Sequence, residues 1–321
     1  MPEVAVVKKR QERPQKEKNI ITLKTLKAQK QLMFMSLPFL AYIILFSYVP
    51  AIGWVMAFQD FKPAKSFFNQ QWVGFKHFQF LFSDSGFLRV LRNTLAMSFI
   101  NLVLGFVTAI LLALLLNEIK NALFKRTVQT ISYLPHFLSW VIVAGLVSNA
   151  LSTEDGIINI LLLNLGLIKE PILWLGKGEY FWGIVGAAKV WKEVGWNTII
   201  YLSAMSSIDP ALYEAADIDG ANRYHKMWHI TLPGIKPTFV VLLIMSVGHI
   251  LNAGFEVQYL LGNGLVVDWS ETIDIFVLKY GISQFNFSLA TAAGIFKTVV
   301  SVILIYTANT ISKKIGEEQL I

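Results

Sequence analysis

The 321-residue chain contains no cysteine. That excludes disulfides, thiolate metal sites and a catalytic thiol, and it leaves the compartment open. Charge is scarce as well: Asp, Glu, Lys and Arg make up 15% of the residues, against 55% hydrophobic residues and a mean hydropathy of +0.54. A chain so poor in charge falls outside the usual globular range and reads as an all-α polytopic membrane protein. No G-x-x-x-x-G-K-[ST] phosphate loop occurs, since Gly176-Lys177 is followed by Gly178 and lacks the leading glycine. ATP hydrolysis by this chain is therefore not expected. Internal repeats and low-complexity tracts are missing too. So is the clustered acid/base or metal set that a membrane-embedded glycosyltransferase would need.

What is present is a series of apolar runs divided by short charged connectors. Six transmembrane spans are expected, at about 32–58, 94–116, 127–151, 181–205, 238–255 and 287–311. The span at 94–116 is free of charge, and Pro38, Pro50 and Pro135 fall inside others, where neighbouring helices can tolerate them. Residues 1–31 form a basic arm; beside a membrane span its role is topological, so nucleic acid is not an expected partner. No cleavable signal is evident, because the following apolar run is too long and has no small-residue cleavage site. Connectors at 59–93, 152–180 and 256–285 are assigned outside, those at 117–126 and 207–236 inside, with a tail at 313–321. Seventeen of the 28 Lys and Arg fall in the inner segments and eight in the outer ones. This asymmetry puts both termini in the cytoplasm. The outer connector 59–93 is expected to hold an interfacial helix, and 152–180 a half-buried one near 157–165.

Charges also fall in or near spans: Lys189, Lys192, Glu193, His249, Glu256 and Lys297. Each costs free energy in hydrocarbon, so each should pair, snorkel or face a watery path. Two stretches combine charge with aromatics and amides. Trp191, Lys192, Glu193, Trp196 and Asn197 lie in the fourth span; Asn252, Phe255, Glu256 and Tyr259 lie at the end of the fifth. Aromatic faces and amide or carboxylate groups are what sugars require, so these residues, with Lys297, are the candidates for a substrate path. Interfacial aromatic belts account for a lone Trp, but less well for Asn197, Asn252 and Glu256.

Between those stretches lies a polar, turn-punctuated segment. Asp209-Pro210 is a helix start, Asp219-Gly220-Ala221 a turn, and a second helix is expected from Ala221 to about His229. On it Tyr224, Met227 and Trp228 share an apolar face beside Arg223 and Lys226, and Pro233 and Pro237 should end it. The result is a small helix-turn-helix knob. By pattern alone an amphipathic loop on the lipid surface is the favoured reading. His225 and His229 have metal-ligand spacing, but no third ligand accompanies them, so no metal is expected.

Glu214, Ala215, Ala216, Gly220, Ile230, Leu232 and Pro233 match the signature loop of inner-membrane permeases in binding-protein-dependent ABC importers at every fixed position. Similarity extends from about Leu32 onward, through Trp191-Lys192, Gly195-Trp196, Ile199 to Leu202 and Ala290 to Gly294. The sugar permeases of the maltose type are the most similar group, and within them the branch serving complex oligosaccharides. The resemblance implies a type I importer fold in a bacterial cell membrane. Implied partners are a second homologous permease, two cytoplasmic ATPase subunits that use ATP and Mg, and an extracellular sugar-binding lipoprotein or periplasmic binding protein. It also implies that the knob docks on the ATPase and carries coupling. This chain itself would bind no cofactor. An ion-coupled secondary sugar transporter is the alternative, but it needs no such knob.

Overall fold

The computed structural model describes residues 29–315, without the Ile315 side chain. Most of the basic arm and of the C-terminal tail therefore lies outside the described residues. The chain divides into two units, residues 1–53 and 54–321. In the first, α1 (Lys30–Ile43) runs through a π turn at Ile44–Tyr48 and a further turn at Val49–Ala51. It contains no buried residue, and Pro38 sits within it. The Val49 N–H bonds the Ile44 carbonyl five residues back, a widened turn directly ahead of Pro50.

The second unit is helical apart from a two-residue antiparallel ladder, Gln59 opposite Trp72 and Asp60 opposite Gln71. Helix α2 (Lys76–Ser83) follows, then α3 (Ser85–Glu118). The span expected from 94 thus begins at Ser85. The Asp84 side chain caps it, accepting from the Phe87 N–H at 2.8 Å. Arg89 and Arg92, which fall in the expected outer connector 59–93, are accommodated on this helix by Asp268, paired with Arg89 at 2.9 Å, and by the rings of Trp182 and Trp269 beneath Arg92.

The third expected span, 127–151, is not one straight helix. Helix α4 (Ala122–Tyr133) passes into a 3-10 turn at Leu134–Phe137, and α5 (Trp140–Ala150) leaves at a 102° bend. Pro135 has no N–H to continue the ladder, and Ser139 accepts from the Ile142 N–H to open the new helix. Helix α6 (Ile157–Asn164) occupies the next connector, close to the expected 157–165. Helix α7 (Gly178–Ser206) covers the segment expected as the fourth span and is a few residues longer than 181–205.

After the knob helices α8 (Pro210–Ile218) and α9 (Arg223–Lys226), a π turn at Met227–Thr231 leads without interruption into α10 (Leu232–Gly248). Pro233 and Pro237 were expected to end the knob helix; instead one helical run covers Arg223–Gly248. The Leu232 N–H reaches back to Met227, which widens the turn where the Pro233 ring would collide. The run ends at Gly248, short of the 255 expected for the fifth span. Short helices α11 (Phe255–Leu261), α12 (Val267–Ser270) and α13 (Ile273–Leu278) fill most of the connector, and α14 (Phe287–Ile315) closes the fold.

Four helical runs are long and apolar enough to cross a membrane, Lys30–Phe58, Ser85–Glu118, Arg223–Gly248 and Phe287–Lys314, and the bent pair makes a fifth if it is one span. Helix α7, with 29 residues and a length of about 43 Å, is set apart by its central charges rather than by its size. An apolar core is present, but many large apolar residues are exposed as well and several polar ones are buried. Leu111, Leu115, Val302 and Ile303 are exposed, whereas Asn93, Thr94, Thr198 and Gln258 are buried, as expected where the surrounding solvent is lipid. Helices α3 and α7 pack closely, with Ala109, Ala113, Tyr201 and Met205 in one cluster and the Thr198 hydroxyl 3.2 Å from the Ala109 carbonyl. Small residues and an interhelical hydrogen bond are what holds helices together when no hydrophobic effect can.

Candidate functional site

The knob is built by local rules. Asp209 accepts from the Ala211 N–H at 2.9 Å, with Pro210 at the first helical position. The end of α8 is a Schellman motif: Ala221 N–H bonds the Ala216 carbonyl at 2.9 Å, Gly220 N–H bonds that of Asp217 at 3.1 Å, and Gly220 has φ +72°. Asn222 then caps α9 by accepting from the His225 N–H at 3.0 Å. Two side-chain links hold the helices together, the Lys226–Asp217 ion pair and the Tyr213–Thr231 hydroxyl contact at 2.9 Å. Glu214, Ala215, Asp219 and Pro233 are exposed, Ala216, Ala221, Ile230 and Leu232 half-buried. Tyr224, Met227 and Trp228 do share a face, which with Arg223 covers one end of an apolar groove of about 740 Å³ along α3 and α10. His229 Nδ1 faces the His225 carbonyl at 3.0 Å.

The polar residues of the spans separate into two groups. Lys192 is buried, with Nζ 2.5 Å from the His136 carbonyl, 3.6 Å from Glu193 and over the Trp140 ring. Glu193 Oε2 meets His136 Nδ1 at 2.7 Å, and the His136 ring stacks on Trp196 at 4.4 Å. This network locks the bent third span onto α7. Gly195 lies at the same crossing, where a Cβ would stand 2.2 Å from the Ser132 carbonyl oxygen. Lys192 and Trp196, expected on a substrate path, thus both have partners within the chain at this crossing. Lys297, also expected on that path, is paired with Asp274 at 2.5 Å.

The second group faces two adjoining hollows of about 250 and 160 Å³, which share Asn101, Gly105 and Asn197. The larger is also lined by Lys189, Glu193 and Thr108, the smaller by Tyr201 and Ser246. Lys189, Glu193 and Asn197 recur every four residues and so share one face of α7. Of the expected path residues, Glu193 and Asn197 reach these hollows. Trp191 does not line them and is half exposed, at 46%. Asn252 to Glu256 does not lie in a span: it follows the end of α10, turns at Gly254 (φ +94°) and starts α11, with Asn252 and Glu256 exposed and Phe255 stacked on Tyr259 at 5.3 Å. It is nevertheless brought near, because Asn101 Nδ2 and Gln258 Nε2 both donate to the Ala253 carbonyl, at 3.0 and 2.9 Å. Asn101 and Tyr201 were missed by the sequence reading. An amide in the middle of a charge-free span was the available signal.

Residues 102–316 match the family model described as binding-protein-dependent transport system inner membrane component. The chain is 47% identical over 303 residues to the polygalacturonan/rhamnogalacturonan transport system permease protein YteP of Bacillus subtilis (strain 168), covering 94% of each. It is 42% identical to Protein LplB of the same organism, covering 94% of this chain and 95% of that one. Among solved structures it is similar to a chain of a bacterial alginate ABC transporter in complex with an alginate pentasaccharide-bound periplasmic protein. The TM-score there is 0.86 at 39% identity, with 92% of this chain and 99% of that one covered. The chain belongs to the family of binding-protein-dependent transport system inner membrane components, membrane transport subunits rather than enzymes.

Proposed function

We propose that this chain is the permease subunit of an ATP-driven ABC importer for a complex, uronate-bearing oligosaccharide. The observation that carries the reading is the exposed knob of α8, Gly220 and α9, rigidly braced and continuous with a spanning helix. A rigid knob fused to α10 can pass motion of a docked ATPase to the bundle, so that ATP binding switches the cavity between inward and outward access. Helix α7, charged at its centre, is the sixth crossing, with its charges turned to the bundle interior. Both termini and the knob are cytoplasmic. A second homologous permease completes the path, two ATPase subunits dock at the knob and supply ATP and Mg chemistry, and an extracellular binding protein delivers the sugar. The names of the relatives, polygalacturonan and rhamnogalacturonan in one and alginate in another, support the cargo class.

The test is uptake into proteoliposomes holding the complete transporter. ATP should drive it and an imposed ion gradient should not. Glu214→Ala should lower sugar-stimulated ATP hydrolysis by roughly tenfold, the loss expected for a hydrogen bond to a charged group. Wild-type coupling in that variant, or uptake driven by the ion gradient, would refute the reading.

A further inference from the structure

We propose that Lys189 is the residue that recognises a carboxylate on the transported sugar, with Asn101, Asn197 and Tyr201 taking its hydroxyls. This rests on the reading of the chain as a permease for acidic oligosaccharides.

A lysine within a spanning helix is costly and is kept where it has a partner or a polar path to face. The other lysines of this region have partners: Lys192 has Glu193 at 3.6 Å, Lys279 has Glu271 at 2.9 Å and Lys297 has Asp274 at 2.5 Å. Lys189, among the described residues, makes no ion pair within 4 Å. The carboxylates that act on it from a distance are Glu193 and Glu256. Glu193 is engaged by His136 and Lys192, and Glu256 is exposed at the start of α11. Lys189 therefore presents positive charge to the larger hollow that no neighbouring carboxylate contacts directly.

Neutral groups with spare hydrogen-bonding capacity accompany it. Asn101 Oδ1 and the Tyr201 hydroxyl are buried without a hydrogen-bond partner, an arrangement that costs free energy unless a ligand or water completes it. Asn101 borders both hollows and Tyr201 the smaller. Glu193 also lines the larger hollow, but its carboxylate is taken up by Lys192 and His136, and one cation beside an amide and a phenol is complementary to a sugar ring carrying one carboxylate. A lysine suits a path better than an arginine would, because a flexible point charge binds the carboxylate without the bidentate clamp that would retain it.

The experiment compares wild type, Lys189→Gln and Lys189→Arg in the complete reconstituted transporter. Substrates are trigalacturonate and its fully methyl-esterified, uncharged counterpart. Assembly of each variant is read by co-purification of the partner subunits. In Lys189→Gln the ratio of charged to esterified uptake should fall roughly tenfold, as for loss of a charge-assisted hydrogen bond; Lys189→Arg should stay within about threefold of wild type. An unchanged ratio in an assembled Lys189→Gln transporter overturns the proposal while leaving the acidic-sugar reading standing. If wild type carries the ester and not trigalacturonate, or neither, that reading falls and takes the proposal with it.

Discussion

Lys189 and Lys192 stand three positions apart on α7, yet they lead different lives. Lys192 is 5% exposed and saturated: a carbonyl, a carboxylate and an aromatic face all converge on it. Lys189 faces a hollow and makes no close ion pair among the described residues. Two lysines of one helix can thus be held by their own chain or left facing a hollow, and residue type does not tell the two apart. What separates them is the direction in which each side chain leaves the helix. One meets the bent third span, where the chain's own carbonyl and carboxylate wait; the other meets open volume against α3.

The contrast can be broken first at the α4–α7 crossing. Gly195→Leu should abolish the folded protein, because its Cβ alone would stand 2.2 Å from a backbone oxygen and backbone cannot yield as a side chain can; the check is monodisperse protein after detergent extraction. Lys192→Met should come next. Removing one partner of a buried ion pair typically costs about 3–5 kcal/mol, and a clear fall in the thermal midpoint of the detergent-solubilised chain would show it. His136→Ala should follow at about 1–3 kcal/mol, from loss of the Glu193 contact and the Trp196 stack. Gly220→Ala belongs at about 1–2 kcal/mol, since open space surrounds the residue and only its φ of +72° is penalised. Lys189→Met should be smallest, with the midpoint unchanged or raised, because no ion pair is lost. If Lys189→Met destabilised as much as Lys192→Met, the distinction between scaffold and path would fail.

The knob was the most legible part of the chain. Its capping residues, its turn glycine and the face shared by Tyr224, Met227 and Trp228 are local features, and the structure reproduces each. The apolar runs were legible for the same reason, to within a few residues in α7 and about nine at the start of α3. Misreadings occur where a distant partner decides. Arg89 and Arg92 looked like connector charges until Asp268 and the Trp rings were brought to them. Pro233 looked like a terminator until the π turn at Met227–Thr231 made room for its ring. Asn252 to Glu256 looked like the end of a span, whereas α10 stops at Gly248 and Asn101 holds the following loop from α3.

The sequence by itself determined the class of molecule, the approximate spans and the knob, because hydropathy and capping act over a few residues and need no knowledge of neighbours. Only the tertiary structure decided which of the charges expected in spans find partners within the chain. Glu193, Lys192 and His136 find one another across 57 residues, and Lys297 finds Asp274 across 23. Lys189 instead borders a hollow, and Asn101 Oδ1 and the Tyr201 hydroxyl are buried beside it without a hydrogen-bond partner. A charge in lipid must be compensated by whatever lies beside it in space, and that is set by how helices cross, a quantity no local stretch of sequence contains.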